Sequence, residues 1–273
     1  MPESTARSDR ALRQPRFRLV FVVGVGRSGS TLLGRTLNMH PRVLCVGEMA
    51  RADRAMKAGG SCCCGEPLGE CSFWRPFLPQ LEAAGHYDFR RFTPGLYDSI
   101  RQATGRDVVV DLSKSRVYRM TRRWRDGGEA YLFLVRDPRG VIASGLRSGN
   151  DLESALRKHK KWMSRLQRFV AKKGDRALLV YYENFAGRPE PELRRICEFL
   201  GLEFAPAMLR PADKAHHFIS SNRGEYLRNS SEIRLDERWR AELTPEQIDR
   251  IERMMRGMSL WRDRFLNENR PGT

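Results

Sequence analysis

Residues Phe17 to Thr31 read FRLVFVVGVGRSGST, and this stretch decides the fold. The run from Phe17 to Val23 is apolar and rich in β-branched residues, which predicts a buried strand of a parallel sheet. A glycine-rich loop, Gly24 to Thr31, follows directly, and Leu32 to Leu37 then shows helical spacing. Small residues let backbone N–H groups turn inward together, and the positive end of the following helix dipole points at the same place. The stretch therefore predicts a strand, loop and helix that bind an anion, most simply a phosphate.

The loop differs from the loop that binds nucleoside triphosphates. That loop reads G-x-x-x-x-G-K-[ST], and here Gly24 and Gly29 have its spacing while Ser30 replaces its lysine. The cation lies three residues earlier, at Arg27. A P-loop kinase or nucleoside triphosphatase stays as an alternative, because an apolar strand that ends at Asp111 is also typical of a magnesium-binding strand.

Four further apolar runs predict strands, and they lie at Val43 to Val46, Asp107 to Leu112, Tyr131 to Val135 and Ala177 to Tyr182. Helical patterns follow several of them, most clearly at Asp151 to Lys173, Pro191 to Leu200 and Pro245 to Met258. Strands that alternate with helices predict an α/β protein with a P-loop-like three-layer α/β/α fold and a central parallel sheet. Ligands of such sheets bind at the carboxyl ends of the strands.

The remaining sequence sets the expected domain limits. We expect one domain over residues 17–265, with a disordered tail at 1–16, a C-terminal tail at 266–273, and an irregular cysteine-containing insertion or lid at 51–106. The first 16 residues carry no apolar segment of a secretion signal, and the run from Leu19 to Val23 is too short to span a bilayer. These features predict a cytoplasmic protein without a transmembrane segment, and they leave its oligomeric state open.

The charge of the chain is strongly basic. The formal net charge is +17, and the 50 basic residues are 42 arginines and eight lysines. Arginine binds phosphate and sulfate through two parallel hydrogen bonds, so the composition favours an anionic ligand. A basic polyanion-binding protein is a second alternative, although it would not explain the ordered loop, and no specific nucleic-acid partner is expected.

Several motifs resemble those of the sulfotransferases. Residues 24–37, GVGRSGSTLLGRTL, are similar to the loop that binds the 5′-phosphosulfate in that family. In bacterial and tyrosylprotein sulfotransferases the loop helix is followed by His-Pro and then by Gly-Glu, which correspond here to His40-Pro41 and Gly47-Glu48. A second family motif has an arginine after a central strand and a serine eight residues later, and Arg136 and Ser144 have this spacing. The resemblance runs from about Arg18 to Trp239 and implies 3′-phosphoadenosine 5′-phosphosulfate (PAPS) as donor and 3′-phosphoadenosine 5′-phosphate (PAP) as product.

The resemblance also implies which residues bind the nucleotide. They lie in the loop, in the second motif and in a C-terminal loop: Gly26, Arg27, Ser28, Gly29, Ser30, Thr31, Arg136, Ser144, Asn222 and Arg228. The C-terminal loop departs from the family pattern of Gly-Asn with an arginine three residues later, because Ser221 precedes Asn222 and Glu225 takes the arginine position. The segment that begins Tyr182-Glu183 resembles one that the family has after its last strand.

Sulfuryl transfer requires a base for the acceptor and positive charge around the transferred group. Glu48 follows the second strand and corresponds to the glutamate base of the tyrosylprotein enzymes, so the resemblance implies that it is the base. Arg27 and Lys114 are the candidates that stabilise the sulfuryl oxygens and the leaving group, and His40 is expected to be structural. We expect no metal in the chemistry and an acceptor hydroxyl or amine on a small molecule, carbohydrate, lipid or peptide.

A cluster of cysteines lies in the predicted insertion at Cys62, Cys63, Cys64 and Cys71. A metal site, a local disulfide and reduced thiols are all compatible with it. Zinc usually takes four ligands, whereas the spacing of the cluster supplies three and no histidine is close in sequence. Similar cysteine segments occur in the bacterial sulfotransferases that the chain resembles, and we therefore expect a structural role.

Overall fold

The computed structural model describes residues 14–52, 55, 59–79, 94–121, 128–220, 232–261 and 264. Five strands form one sheet: β1 (Leu19–Val23), β2 (Val43–Gly47), β3 (Val108–Asp111), β4 (Glu129–Val135) and β5 (Ala177–Tyr181). Their order is β2-β3-β1-β4-β5, and every neighbouring pair is parallel. The predicted α/β fold with a central parallel sheet is confirmed.

Helices connect and follow the strands. They are α1 (Ser30–Asn38), α2 (Pro94–Thr104), α3 (Val117–Met120), α4 (Pro138–Leu146), α5 (Leu152–Ala171), α6 (Tyr182–Gly187), α7 (Pro189–Leu200), α8 (Trp239–Glu242), α9 (Pro245–Arg256) and α10 (Ser259–Trp261). Six of the ten predicted strand limits differ from the structure by one or two residues. β4 begins two residues earlier than the apolar run indicated, and Tyr182 opens α6 instead of ending β5.

The core lies in two layers, one on each face of the sheet. Leu19, Phe21 and Val23 of β1 pack into one apolar cluster, while Val20 and Val22 pack into the other. This alternation follows from the two-residue period of a strand, and it explains why a strand covered on both faces is apolar throughout. Apolar residues of α1, α6 and α7 cover one face, and those of α2, α4, α5 and α9 cover the other.

Local capping fixes where the helices around the sheet begin and end. The Asp137 side chain accepts the backbone N–H of Arg139 at 2.8 Å and so caps α4 directly after β4. Pro138 occupies the first turn of that helix, as predicted. Asp151 caps α5 in the same way, and Gly201 ends α7 in the left-handed region.

Candidate active site

Each strand of the sheet leads to a polar residue or loop at its carboxyl end. Glu48 follows β2, Lys114 follows β3, the glycine-rich loop follows β1, Arg136 follows β4 and Glu183 follows β5. With the strand order β2-β3-β1-β4-β5, these groups form a row along one edge of the sheet. Strands lie about 4.8 Å apart, so the row is roughly 20 Å long with the loop at its centre.

The glycine-rich loop has the backbone of an anion site. Arg27 and Gly29 take positive φ angles of 72° and 87°, and α1 begins at Ser30 directly after them. Alternation into the left-handed region turns successive N–H groups toward one point. The Ser28 side chain is buried, and its Oγ has no hydrogen-bond partner among the described residues. A buried hydroxyl in this position is suited to bind an oxygen of a phosphate held by the loop.

The ring of Tyr182 joins the loop to the second motif. A Cβ atom on Gly29 would lie 2.4 Å from Cδ2 of Tyr182, so the ring packs directly against the glycine. The guanidinium carbon of Arg136 lies 4.3 Å from the centre of the same ring. A cation–π contact of this kind orients the arginine beside the loop.

Arg136 is nearly buried and points back to the loop. Its Nη1 donates to the backbone carbonyl of Arg27 at 3.2 Å, and its Nη2 donates to the carbonyl of Asp236 at 2.9 Å. The Asp236 carboxylate also lies 3.2 Å from Nη2. Hydrogen bonds from Arg238, together with the charge of Arg136, hold the pKa of Asp236 well below its usual range.

Ser144 lies half-buried on α4, eight residues after Arg136. Its carbonyl accepts from the hydroxyl of Ser148 at 3.1 Å, and that hydroxyl accepts from Nη2 of Arg27 at 2.7 Å. Arg27 therefore reaches toward the end of α4, on the Arg136 side of the loop. None of its hydrogen bonds within the described ranges extends to Glu48 or Lys114.

Glu48 and Lys114 meet on the opposite side of the loop. The Lys114 ammonium donates to Oε1 of Glu48 at 2.5 Å, and both side chains are nearly buried. The guanidinium groups of Arg51 and Arg116 lie 2.7 and 3.7 Å from Oε2 of Glu48. Burial lowers the pKa of Lys114, and the charge of Glu48 opposes that shift. The structure thus places one carboxylate among three cations beside the loop.

The backbone around Glu48 is fixed by a crossing segment. Gly47 has φ of 81°, and a Cβ atom there would lie 2.5 Å from the backbone N and O of Ile219. The N–H of Glu48 donates to the carbonyl of Ile219 at 2.8 Å, and the N–H of Ile219 donates to the carbonyl of Val46 at 3.1 Å. Only glycine permits this close approach, which fixes where the Glu48 side chain starts.

Asp111 is engaged by the protein itself. Its Oδ2 accepts from the hydroxyl of Tyr97 at 2.6 Å, and its Oδ1 accepts from the N–H of Ser113 at 2.6 Å. Burial raises the pKa of Asp111 to about 6. Each oxygen thus already accepts a hydrogen bond from the protein, and these contacts give Asp111 a structural role at the end of β3.

Glu183 positions the start of the second motif. Its Oε1 accepts the backbone N–H of Asp137 at 2.9 Å, directly after Arg136. Burial raises the pKa of Glu183 to about 7. The motif that begins at Tyr182 therefore supports Arg136 twice, through the ring of Tyr182 and through the Glu183 carboxyl.

Other predicted residues are structural or lie outside the described residues. His40 uses Nε2 toward the carbonyl of Glu203 at 2.8 Å and accepts the N–H of Arg42 at Nδ1, which confirms its structural role. A Cβ atom on Gly26 would meet nothing within 4 Å, so the loop is open there. Ser30 is buried and Thr31 half-buried at the start of α1. Asn222 and Arg228 lie outside the described residues.

Sequence reasoning missed Asp236, Arg51 and His217. Arg51 could have been found from its position three residues after Glu48, because such a pair shares one side of a helical turn. Asp236 reaches Arg136, and His217 reaches the cysteine cluster, from distant parts of the chain, and no local pattern marks either residue. His217 adds the fourth side chain that the cysteine spacing lacked.

Comparisons with known proteins all find similarity to sulfotransferases. The model of the Sulfotransferase family matches residues 20–61 and 129–206, which include the loop, Glu48 and the Arg136 motif. A Caenorhabditis briggsae protein that carries the name protein-tyrosine sulfotransferase is 25% identical over 207 residues, 70% of this chain and 68% of its own.

Solved structures show the same fold. The sulfotransferase domain of the curacin biosynthetic pathway has a TM-score of 0.67 at 18% identity, covering 89% of this chain and 97% of its own. The sulfotransferase domain of the Synechococcus PCC 7002 olefin synthase has a TM-score of 0.55 at 22% identity, with the same coverage. Mouse sulfotransferase SULT7A1, solved with PAP, has a TM-score of 0.53 at 13% identity, covering 93% of this chain and 89% of its own. The chain is thus similar to the sulfotransferase family over the two matched ranges, and it has the fold of the solved sulfotransferases.

Proposed function

We propose that the protein transfers a sulfuryl group from PAPS to an acceptor hydroxyl or amine and releases PAP. One observation carries the proposal: a phosphate-type loop lies between an arginine site at β4 and a carboxylate among cations at β2 and β3. A donor with one anionic group in the loop and another at the arginine site, next to an acceptor at the carboxylate, fits this order of groups. The mouse structure that shares the fold contains PAP, which supports the choice of nucleotide.

The donor would lie across β1 and β4. The N–H groups of the loop from Gly26 to Thr31 and the hydroxyl of Ser28 would bind the 5′-phosphosulfate, while Arg136 and Ser144 would bind the 3′-phosphate. Their attachment to neighbouring strands supports this assignment, because adjacent strands separate the two groups by about 5 Å before side-chain length is added. Asn222 and Arg228 are proposed as further nucleotide contacts on the family resemblance.

The acceptor would approach from the β2 and β3 side. Glu48 takes the proton from the acceptor oxygen or nitrogen while that atom forms a bond to sulfur. The bond between sulfur and the bridging phosphate oxygen breaks, and its electron pair leaves with PAP. Lys114, which donates to the Glu48 carboxylate, would stabilise the departing oxygen, and Arg27 would contribute charge from the other side of the loop.

Cations of the chain would stabilise the growing negative charge, so we propose that the transfer step uses no metal. We propose that the acceptor is a small molecule, a carbohydrate, a lipid or a peptide. We also propose that residues 17–265 form one domain and that segment 51–106 covers the sheet as a lid. None of the described helices has both the length and the apolar character needed to cross a membrane. A cytoplasmic location, where the donor would be made, belongs to the same proposal, and cell fractionation tests it.

Binding of the nucleotide is the first experiment. Calorimetry without magnesium should show tight binding of PAP to the wild type and a large loss in Arg136→Ala, while ATP binds poorly. Arg194→Ala removes one exposed arginine on α7 and serves as the matched control, which should bind PAP like the wild type. Magnesium-dependent ATP binding without PAP binding would favour the kinase alternative. Salt-sensitive polyanion binding that Arg136→Ala and Ser28→Ala leave unchanged would favour the basic-binder alternative.

Replacing the base separates chemistry from binding. In Glu48→Gln we expect PAP affinity within about threefold of the wild type and a loss of kcat of about a hundredfold or more, since a positioned base contributes about 10²–10⁴. Transfer is measured with a panel of phenolic, sugar and amine acceptors. Glu190→Gln, on the exposed start of α7, is the control. Equal kcat in Glu48→Gln and wild type would remove Glu48 from the mechanism.

A further inference from the structure

The four side chains of Cys62, Cys64, Cys71 and His217 converge outside the proposed transfer site. Their sulfur atoms and one ring nitrogen all lie within 4.8 Å of one another. The sulfurs of Cys64 and Cys71 are 3.8 Å apart, and Nδ1 of His217 is 3.8 Å from the sulfur of Cys62 and 3.4 Å from that of Cys71. None of the six cysteines, all of which lie in the described residues, forms a disulfide.

These distances are close to those of a tetrahedral zinc site. With zinc–sulfur bonds of about 2.3 Å and zinc–nitrogen bonds of about 2.05 Å, tetrahedral angles place two sulfurs about 3.8 Å apart and a sulfur and nitrogen about 3.6 Å apart. The donor set of three thiolates and one imidazole is one of the structural zinc sets. Four protein ligands close the coordination sphere, which distinguishes such a site from a catalytic one.

The surroundings orient His217 toward the sulfurs. Its ring stacks on Phe73 with 5.3 Å between centroids and an angle of 15° between planes. The indole N–H of Trp74 donates to the carbonyl of His217 at 2.9 Å. Cys63 has a different arrangement, because its thiol donates to the carbonyl of His216 at 2.9 Å and accepts the N–H of Phe218 at 3.0 Å. Cys62, Cys64 and Cys71 therefore converge on one point, whereas Cys63 forms hydrogen bonds with the backbone.

We propose that Cys62, Cys64, Cys71 and His217 bind one structural Zn²⁺ ion. On binding, the three thiols lose their protons to solvent and the neutral imidazole donates its Nδ1 lone pair, so no oxidation or reduction occurs. The ion ties the segment 59–79 to the segment that contains His217. Ile219, two residues further on, pairs with both Gly47 and Cys62 and holds the N–H of Glu48. The zinc site therefore anchors the backbone on which Glu48 depends.

Metal content of the full chain tests the proposal directly. The wild type, purified without a metal-affinity tag or chelator, should contain one zinc per chain by mass spectrometry of metals. After zinc removal under reducing conditions, Co²⁺ should produce the visible bands of a tetrahedral site and a near-ultraviolet thiolate band. Zinc content near zero, with no cobalt spectrum on refilling, would overturn the proposal. So would an intact mass lower than that of the reduced chain by two hydrogen atoms, with peptide mapping that assigns the disulfide to Cys64 and Cys71.

Two serine variants give a matched comparison. Cys71→Ser should lose the bound zinc, whereas Cys63→Ser, one residue from two ligands, should keep one zinc per chain. Adding a chelator should lower the melting temperature of the wild type and of Cys63→Ser, because a ligand of the native state stabilises it. Equal zinc content in the two variants would contradict the ligand assignment, and the wild-type measurement decides the case if Cys71→Ser does not fold. PAP binding is measured separately, so failure of the zinc proposal leaves the proposed transfer reaction to its own test.

Discussion

Single residues at the sheet edge fix the conformation of the glycine-rich loop. Two features require a glycine at position 29. Its φ is 87°, and the ring of Tyr182 occupies the space that a side chain would fill. The same ring contacts the guanidinium of Arg136, so a shift of Tyr182 would disturb both halves of the proposed donor site. The loop and the arginine motif, separate in sequence, share one contact.

Gly29→Ala should therefore abolish tight PAP binding. The methyl group would have to displace Tyr182 in addition to the cost of about 1–2 kcal/mol for a left-handed non-glycine residue. Gly174→Ala is the matched control, because Gly174 has φ of 56° but open space where the methyl group would go. Calorimetry on both variants separates the two effects, and equal PAP affinity in the two would show that the Tyr182 contact is unimportant.

At the scale of elements, the segment before α8 lies against the second motif. Asp236 contacts Arg136 through both its carbonyl and its carboxylate, and its N–H donates to the hydroxyl of Tyr182 at 3.2 Å. The carboxylate also pairs with Arg238 at 2.8 Å. This segment places a negative charge on Arg136, so Asp236 and the proposed 3′-phosphate would compete for one arginine.

Asp236→Asn should tighten PAP binding by about threefold or more. The backbone carbonyl that orients Arg136 stays in the variant, while the competing charge of this nearly buried ion pair is removed; threefold tighter binding corresponds to about 0.6 kcal/mol. The exposed Glu237→Gln is the control, since Glu237 pairs with Arg240 instead. Titration calorimetry at two salt concentrations measures the change, and weaker binding in Asp236→Asn would mean that the carboxylate positions Arg136 for the nucleotide.

For the whole molecule, we expect acid stability to depend on a histidine inside the core. His159 of α5 is buried beside Trp261 with ring centroids 5.3 Å apart, and neither ring nitrogen has a hydrogen-bond partner among the described residues. Burial lowers the pKa of His159 to about 4. A depressed pKa contributes stability that is present above the unfolded value near 6.5 and is lost as the pH falls toward 4.

His159→Leu should remove that pH dependence. Between pH 6.5 and 4 the wild type should lose up to about 3 kcal/mol of unfolding free energy relative to the variant. Urea unfolding at several pH values provides the measurement. Met163→Leu changes a buried apolar residue of the same helix and should follow the wild type in its pH profile. Parallel profiles for wild type and His159→Leu would exclude His159 as the source.

The sequence predicts local features well and distant contacts poorly. The apolar runs identified all five strands, and the glycine loop with its strand and helix indicated the anion site, because those signals lie within a few residues of one another. Asp236 lies 100 residues from Arg136, and His217 lies 146 residues from Cys71. These contacts form only when the C-terminal segments pack against the sheet edge. No spacing of residues along the sequence predicts that packing.

The strand order has a consequence for how this protein could change over time. The proposed donor groups follow β1 and β4, and the proposed acceptor groups follow β2 and β3. Mutations on one side of β1 therefore leave the backbone of the other side in place. A descendant could acquire a new acceptor by drift around β2 and β3 while it inherits the donor site unchanged, so one ancestral scaffold could give rise to many specificities.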